Sequence, residues 1–237
     1  MSMLVLGMET ATALGSVAIV DEEEVVAEYA LKVRGTHSER LLPAIDALLK
    51  DSKLSFSDLN VIAVSIGPGS FTGLRIGIST AKGLALGSNK PVVGIPTLDA
   101  LADHYPGLDV LICPMLDAKK NEVFAALYRR DSVHGLQKLT KDLAISPHTL
   151  LRSIGETAVF LGDGSQLYRR LIQELLGGNA LFPPLSLRHP RAATIAFMGM
   201  EQMKRGNTID VERLVPVYVR ASDAELNRRP GERTGSQ

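Results

Sequence analysis

One cysteine, no excess of either charge and no long apolar run are the shortages that narrow the field first. Cys113 is the only cysteine in 237 residues, so no internal disulfide can form. Its apolar flanks suit a small core residue in a reducing cytosol. Lysine plus arginine and aspartate plus glutamate number 26 each, which leaves no global basic field for nucleic acid. An RNA-related role must then run through local patches or a partner. The apolar run from Met3 to Met8 meets Glu9 at once, without the basic start or the length of a signal peptide. No stretch has the apolar length of a membrane span. We therefore expect a cytoplasmic protein with no membrane role. Apolar residues at 45% and charged residues at 22% fit a globular chain long enough for one large core or two small ones.

Familiar catalytic signatures are missing as well. A P-loop needs Gly-Lys-Ser/Thr, but Gly73 is followed by Leu74-Arg75. Gly67, Gly69 and Gly73 are spaced one residue too widely for a dinucleotide fingerprint, and no carboxylate follows at Gly87-Ser88-Asn89-Lys90. Ser65, Ser70 and Ser79 lack the G-x-S-x-G context of a nucleophile. The five histidines, at 37, 104, 134, 148 and 189, form neither H-x-H nor H-x-x-x-H.

What is present is concentrated in Ser65 to Gly87. The β-branched run Val61 to Val64 predicts a buried strand, Gly67-Pro68-Gly69 a turn, and Ser70 the cap of a helix. Such a turn into a helix N-terminus suits an anion. The helix carries Gly73, Gly77, Ala81 and Ala85 at i+4 spacing, a stripe that lets another backbone come close. A tight turn whose glycines serve only close packing competes with both functional readings.

The pattern around this segment occurs twice. Strands at Met3–Met8, Gly15–Val20 and Val25–Leu31 precede a helix predicted from the Thr36/Glu39 capping box to about Lys50, with a kink at Pro43. The glycine segment and a strand at 91–95 follow. In the second half, a strand from Val110 ends at Asp117 as the first ended at Glu9. One strand over Glu122 to Arg129, a weak strand near 136–139, a helix after Ser146-Pro147, a strand at Ala158–Leu161 and the turn Gly162-Asp163-Gly164-Ser165 come next. A helix over Leu167–Leu176 and another over Ala192–Lys204 complete the prediction. Duplicated meanders ending in an acid describe an α/β fold of the actin/sugar-kinase/Hsp70 architecture, with two similar lobes each built on a mixed sheet. The lobes are placed at 1–104 and 105–221, with 222–237 a disordered tail.

Residues 8–12 (Met-Glu-Thr-Ala-Thr), 36–43 (Thr-His-Ser-Glu-Arg-Leu-Leu-Pro) and 67–77 (Gly-Pro-Gly-Ser-Phe-Thr-Gly-Leu-Arg-Ile-Gly) resemble the bacterial TsaB (YeaZ) family. Asp117-Ala118, Glu122-Val123 and Pro216-Val217-Tyr218-Val219-Arg220 extend the likeness over nearly the whole chain. It implies a non-catalytic dimerisation subunit in the making of N6-threonylcarbamoyladenosine beside the anticodon of tRNA. The implied partners are TsaD, which transfers the threonylcarbamoyl group, and the ATPase TsaE. Contact with tRNA comes through the complex, and a homodimer of the free chain stays open. Pairing through the first two helices is expected to involve His37, Leu41, Ile45, Gly73, Leu74, Gly77, Ile78 and Ala81.

The TsaD relative carries two metal-binding histidines where this sequence has Thr97 and Leu101, so no catalytic metal and no catalytic residue is expected. No cofactor of the chain's own is expected either, with ATP or ADP at the junction with the partner left open. Glu9, Thr10, Gly67, Gly69, Ser70 and Asp117 remain candidates for holding phosphate. The competing class is an enzyme acting alone, an ATP-using phosphotransferase or a metallopeptidase-like protein.

Overall fold

The computed structural model describes residues 2–32 and 39–219. His37, the Thr36 end of the capping box and the segment 222–237 lie outside the described residues.

An antiparallel meander is built from β1 (Val5–Glu9), buried throughout, β2 (Leu14–Val20), buried from Ser16 on, and the largely exposed β3 (Val25–Lys32). A crossover through α1 (Leu41–Asp51) returns to β4 (Val61–Gly67), which pairs parallel to β1. Parallel neighbours are covered on both faces, which is why β4 reads as a continuous β-branched run. Leu41, Ile45 and Leu48 bury one stripe of α1, each side chain contributing about 1.5–3 kcal/mol on transfer from water. Pro43 does not kink this helix. It sits in the first turn, where an N–H has no intrahelical acceptor to lose. Next come α2 (Phe71–Ser88) and β5 (Val92–Pro96), completing a sheet of order β3-β2-β1-β4-β5.

Helix α3 (Thr97–Asp103) leads into the second sheet. Its central strand β6 (Leu111–Lys119) pairs antiparallel with β7 (Glu122–Ala125) and β8 (Tyr128–Asp131). The sequence predicts one strand from Glu122 to Arg129, whereas the chain breaks after Ala125. There the Leu127 N–H leaves the ladder and donates to the Thr140 hydroxyl at 2.9 Å. This break lets β9 (Gly135–Lys138) pair with β8, and β10 (Leu143–Ile145), a strand with no sequence signal, pair with β7. After α4 (Pro147–Arg152), capped by Ser146, β11 (Ala158–Leu161) runs parallel to β6. The expected turn at Gly162–Ser165 is itself the start of α5 (Gly162–Leu167), followed by α6 (Arg169–Leu176) and the short β12 (Ala180–Leu181).

The boundary expected at 221 is corrected by α7 (Ala192–Lys204), which packs on β1, β2, β4 and β5 of the first sheet. A Cβ at Gly7 would collide with the Ala192 carbonyl, so glycine there allows the helix to lie directly on β1. Beyond α7, Ile209 bridges to Val92, Leu214 enters the first core, and the Val217 N–H donates to the Ile66 carbonyl at 2.7 Å. The first lobe is thus built from both ends of the chain and the second from its middle. The two mixed sheets with flanking helices are the actin/sugar-kinase/Hsp70-like architecture that the repeated pattern predicts.

Candidate functional site

Strand β1 ends at Glu9, and the turn to β2 carries Thr10, Ala11 and Thr12. All four are buried, Glu9 and Thr10 without any exposed surface. One carboxylate oxygen of Glu9 accepts the Ala11 N–H, whereas the other has no hydrogen-bond partner. Burial is the dominant influence and pushes the Glu9 pKa up to about 7, against the lowering effect of Ala11 and the Ser65 hydroxyl. The Ser65 hydroxyl, on β4, also lies 3.4 Å from the Thr10 N–H.

The glycine turn wraps this loop. The Ser70 N–H donates to the Ala11 carbonyl at 2.7 Å, and the Ser70 hydroxyl accepts from the Gly73 N–H at 3.2 Å as the helix cap. A Cβ at Gly69 would lie 2.5 Å from the Ala11 carbonyl oxygen, and a Cβ at Gly67 would lie 2.8 Å from that of Val217. At Gly73 and Gly77 a Cβ would fall inside contact with the Thr10 carbonyl and hydroxyl. The space in which an anion was expected is filled by the protein's own backbone. Glu9, Thr10, Gly67, Gly69 and Ser70 are brought together as anticipated, but as a packed joint. Glu9, Thr10 and Gly67 are buried, whereas Gly69 is half-buried and Ser70 exposed, so the enclosed part of the turn is its Glu9 side.

The small-residue stripe is corrected likewise. Gly73, Gly77 and Ala81 face inward, and Leu41, Ile45, Leu74 and Ile78 are core residues of the first lobe, between 1% and 6% exposed. Within the single chain these side chains are covered by the first lobe itself. The outward face of α2 carries Thr72, Arg75, Ser79, Gly83 and Leu86, and that of α1 carries Leu42, Pro43 and Asp46. At the start of α2, Arg75 lies over the Phe71 ring, which stacks on Tyr218 with centroids 5.1 Å apart.

The second strand turn differs. Asp117 accepts the Lys119 N–H at 2.8 Å and pairs with the Lys119 ammonium at 2.5 Å, while its own N–H donates to Asp163. A lysine two residues beyond the acid is a signal the sequence offered and that went unused. Among the described residues no group of three or more His, Cys, Asp or Glu side chains is placed to hold a metal ion. Thr97 and Leu101 are fully buried on α3. His104 shares a 2.8 Å hydrogen bond with the Thr194 hydroxyl, and burial lowers its pKa to about 4, so it is neutral. Burial raises the Cys113 thiol to about 12, which leaves it inert at neutral pH.

Comparison with known proteins gives this arrangement its relatives. The family model described as TsaD, tRNA N6-adenosine threonylcarbamoyltransferase, matches residues 25–228. The tRNA threonylcarbamoyladenosine biosynthesis protein TsaB of Bacillus subtilis (strain 168) is 32% identical over 226 residues, 94% of this chain and 96% of its own length. The chain belongs to the TsaB (YeaZ) family. The TsaB protein of Escherichia coli (strain K12) is also 32% identical, over 97% of this chain and its own full length. YeaZ from Pseudomonas aeruginosa superposes with a TM-score of 0.76 at 26% identity, covering 91% of this chain and 99% of that one. A component of (R)-2-hydroxyglutaryl-CoA dehydratase from Acidaminococcus fermentans, at 13% identity and a TM-score of 0.50, shares the fold alone. Membership places the chain among proteins of tRNA threonylcarbamoyladenosine biosynthesis. No helix among the described residues is long and apolar enough to cross a membrane.

Proposed function

We propose that this chain is the non-catalytic dimerisation subunit that pairs with TsaD and supports threonylcarbamoyl transfer to the adenosine beside the anticodon of tRNA, with TsaE joining the pair. The observation that carries the reading is the sealed β1 turn. An acid with no exposed surface, behind glycines that press on the Thr10 and Ala11 backbone, leaves the Glu9 carboxylate itself without access to a substrate. The glycine segment acts as a rigid joint that fixes α2 against β1. A subunit of this kind works by holding its partner in a competent arrangement, which shifts the partner's population without doing chemistry. Any ATP or ADP of the assembly lies at the junction with the partner.

The pairing surface is the outward side of the first two helices, because their inward side is already core. Leu42 and Leu86 are 52% and 70% exposed, and no packing inside the chain requires either to be apolar. Purified chain, TsaD, TsaE and tRNA provide the test. A Leu42→Asp/Leu86→Asp variant is expected to fold, to bind TsaD roughly tenfold or more weakly, and to lose modification activity in proportion. A folded double variant that pairs and supports modification like the parent would exclude this surface. Transfer or ATP turnover by the chain alone would overturn the non-catalytic reading.

A further inference from the structure

A bare edge strand offers a row of unpaired N–H and C=O groups to another strand, and proteins keep such edges short, charged or covered. Most edges here follow that rule. Strands β9, β10 and β12 are four, three and two residues long, and Ile209 bridges to Val92 of β5. The exception is β3. It ends the first sheet with eight residues, carries no proline, and has no further strand beside it among the described residues.

Its side chains do not defend it. Val25, Val26, Tyr29 and Leu31 are between 36% and 51% exposed. On the side facing α1, Tyr29 and Leu31 line a cavity with Gly15, Val17, Leu41 and Ala44, so the chain itself leaves that side incompletely covered. The charge at the centre of the strand is turned away from the edge. Glu28 is taken up by the Arg191 guanidinium and by the Ala193 N–H at the start of α7.

The remaining charges lie at the two ends and differ in sign. Before β3, Asp21 accepts the N–H groups of Glu23 and Glu24, and Glu22 pairs with Lys204. Among the described residues no ion pair engages Glu23, Glu24 or Lys32, the last residue of β3. A strand with free acids at its start and a free base at its end is complementary to a copy of itself running the other way. Centred on Glu28, that pairing sets Val25 opposite Leu31, Ala27 opposite Tyr29 and Glu24 opposite Lys32, each pair occurring twice. Apolar and oppositely charged cross-strand pairs are what stabilise such a ladder. The two Glu28 carboxylates that meet at the centre each bring their own Arg191.

We propose that the β3 edge is an interface between two copies of this chain, paired antiparallel about a two-fold axis at Glu28. Each copy offers the same patch, so the contact closes at a dimer. One strand pair buries little area, which places the dimer among weak, reversible ones. The inference does not rest on the proposed pairing with TsaD, which uses the outward side of α1 and α2.

The test is sedimentation equilibrium of the full chain over rising concentration, with amide hydrogen exchange followed on β3 at the same concentrations. A reversible dimer is expected at high micromolar chain, with exchange slowed on alternate β3 N–H groups as the dimer fills. Leu31→Lys, at an exposed position, should keep the fold and weaken the dimer roughly tenfold. Lys32→Glu should weaken it by a similar factor, because like charges then face each other twice, and Glu24→Lys/Lys32→Glu should recover it. The inference is refuted by a chain that stays monomeric at millimolar concentration, by a dimer that both single variants leave unchanged, or by a double variant no better than Lys32→Glu. A dimer lost in Leu42→Asp/Leu86→Asp but kept in Leu31→Lys would assign self-association to the helices and refute it equally.

Discussion

In the first lobe the turn leaving β1 is enclosed, and in the second the turn leaving β6 faces water. The local designs are otherwise alike. Each central strand carries an acid at or near its end, pairs parallel with a later strand, and is gripped by a glycine turn that opens a helix. Gly73 presses on the Thr10 carbonyl and Gly162 on that of Met115. Yet Glu9 has no exposed surface and a carboxyl held partly protonated near neutrality, whereas the Asp117 side chain keeps 19% of its surface in water and a lysine across from it. One acid is silenced by burial and the other by a counter-ion. A duplicated backbone path fixes where a carboxylate sits, while its charge and reach depend on what closes over it.

The largest effects should come from the two glycine grips. Gly73→Val drives a side chain into the Thr10 backbone and should cost about 3 kcal/mol or more, read by chemical denaturation. Gly162→Val should be as severe, because it meets the Met115 carbonyl and sits at φ +91. A Gly73→Val protein as stable as the parent would mean that the β1 turn is not enclosed.

Glu9→Gln probes burial itself. Glutamate in the unfolded chain titrates near 4.5, whereas Glu9 in the fold titrates at about 7. Below about pH 4.5 both forms are protonated and the group is neutral to stability. Between those values the unfolded chain loses its proton first, so stability falls as pH rises, and above about 7 the full penalty of about 3 kcal/mol stands. The Gln variant should remove this slope from a plot of melting temperature against pH. An identical slope in both proteins would assign the titration elsewhere.

Smaller effects separate inward from outward positions on α2. Gly83 has nothing within 4 Å of a built Cβ, so Gly83→Ala should stabilise the chain by about 0.5–1 kcal/mol. A loss of stability would show that this outward position is packed after all. The least effect is expected at Lys119→Gln, about 0.5 kcal/mol, because the lysine side chain is 80% exposed. A larger loss would show that the second turn depends on its ion pair as the first depends on enclosure.

Local chemistry made most elements legible in the sequence. Ser70 and Ser146 announce their helices because a cap acts within one turn of chain, and the β-branched run at 61–64 announces a strand covered on both faces. The strand break at Ala126-Leu127 was hidden because it depends on Thr140, thirteen residues away. The inward turn of the Gly73/Gly77 stripe was hidden for a similar reason. Small residues at i+4 spacing say that something comes close, and only the fold shows that it is Thr10. Nothing in the sequence neighbours of Arg188 and His189 tells that Nε and Nδ1 are buried.

The return of α7 to the first sheet sets an order for synthesis. A ribosome releases this chain from the N-terminus, and domains generally fold as they emerge. Yet β1 and β4, made first, lack their cover until α7 and then Leu214 have followed. The second lobe, contiguous in sequence, has all its residues available earlier. The older half of the nascent chain must therefore wait with one apolar sheet face bare while the younger half is already complete, and truncation before Ala192 would strand it in that state.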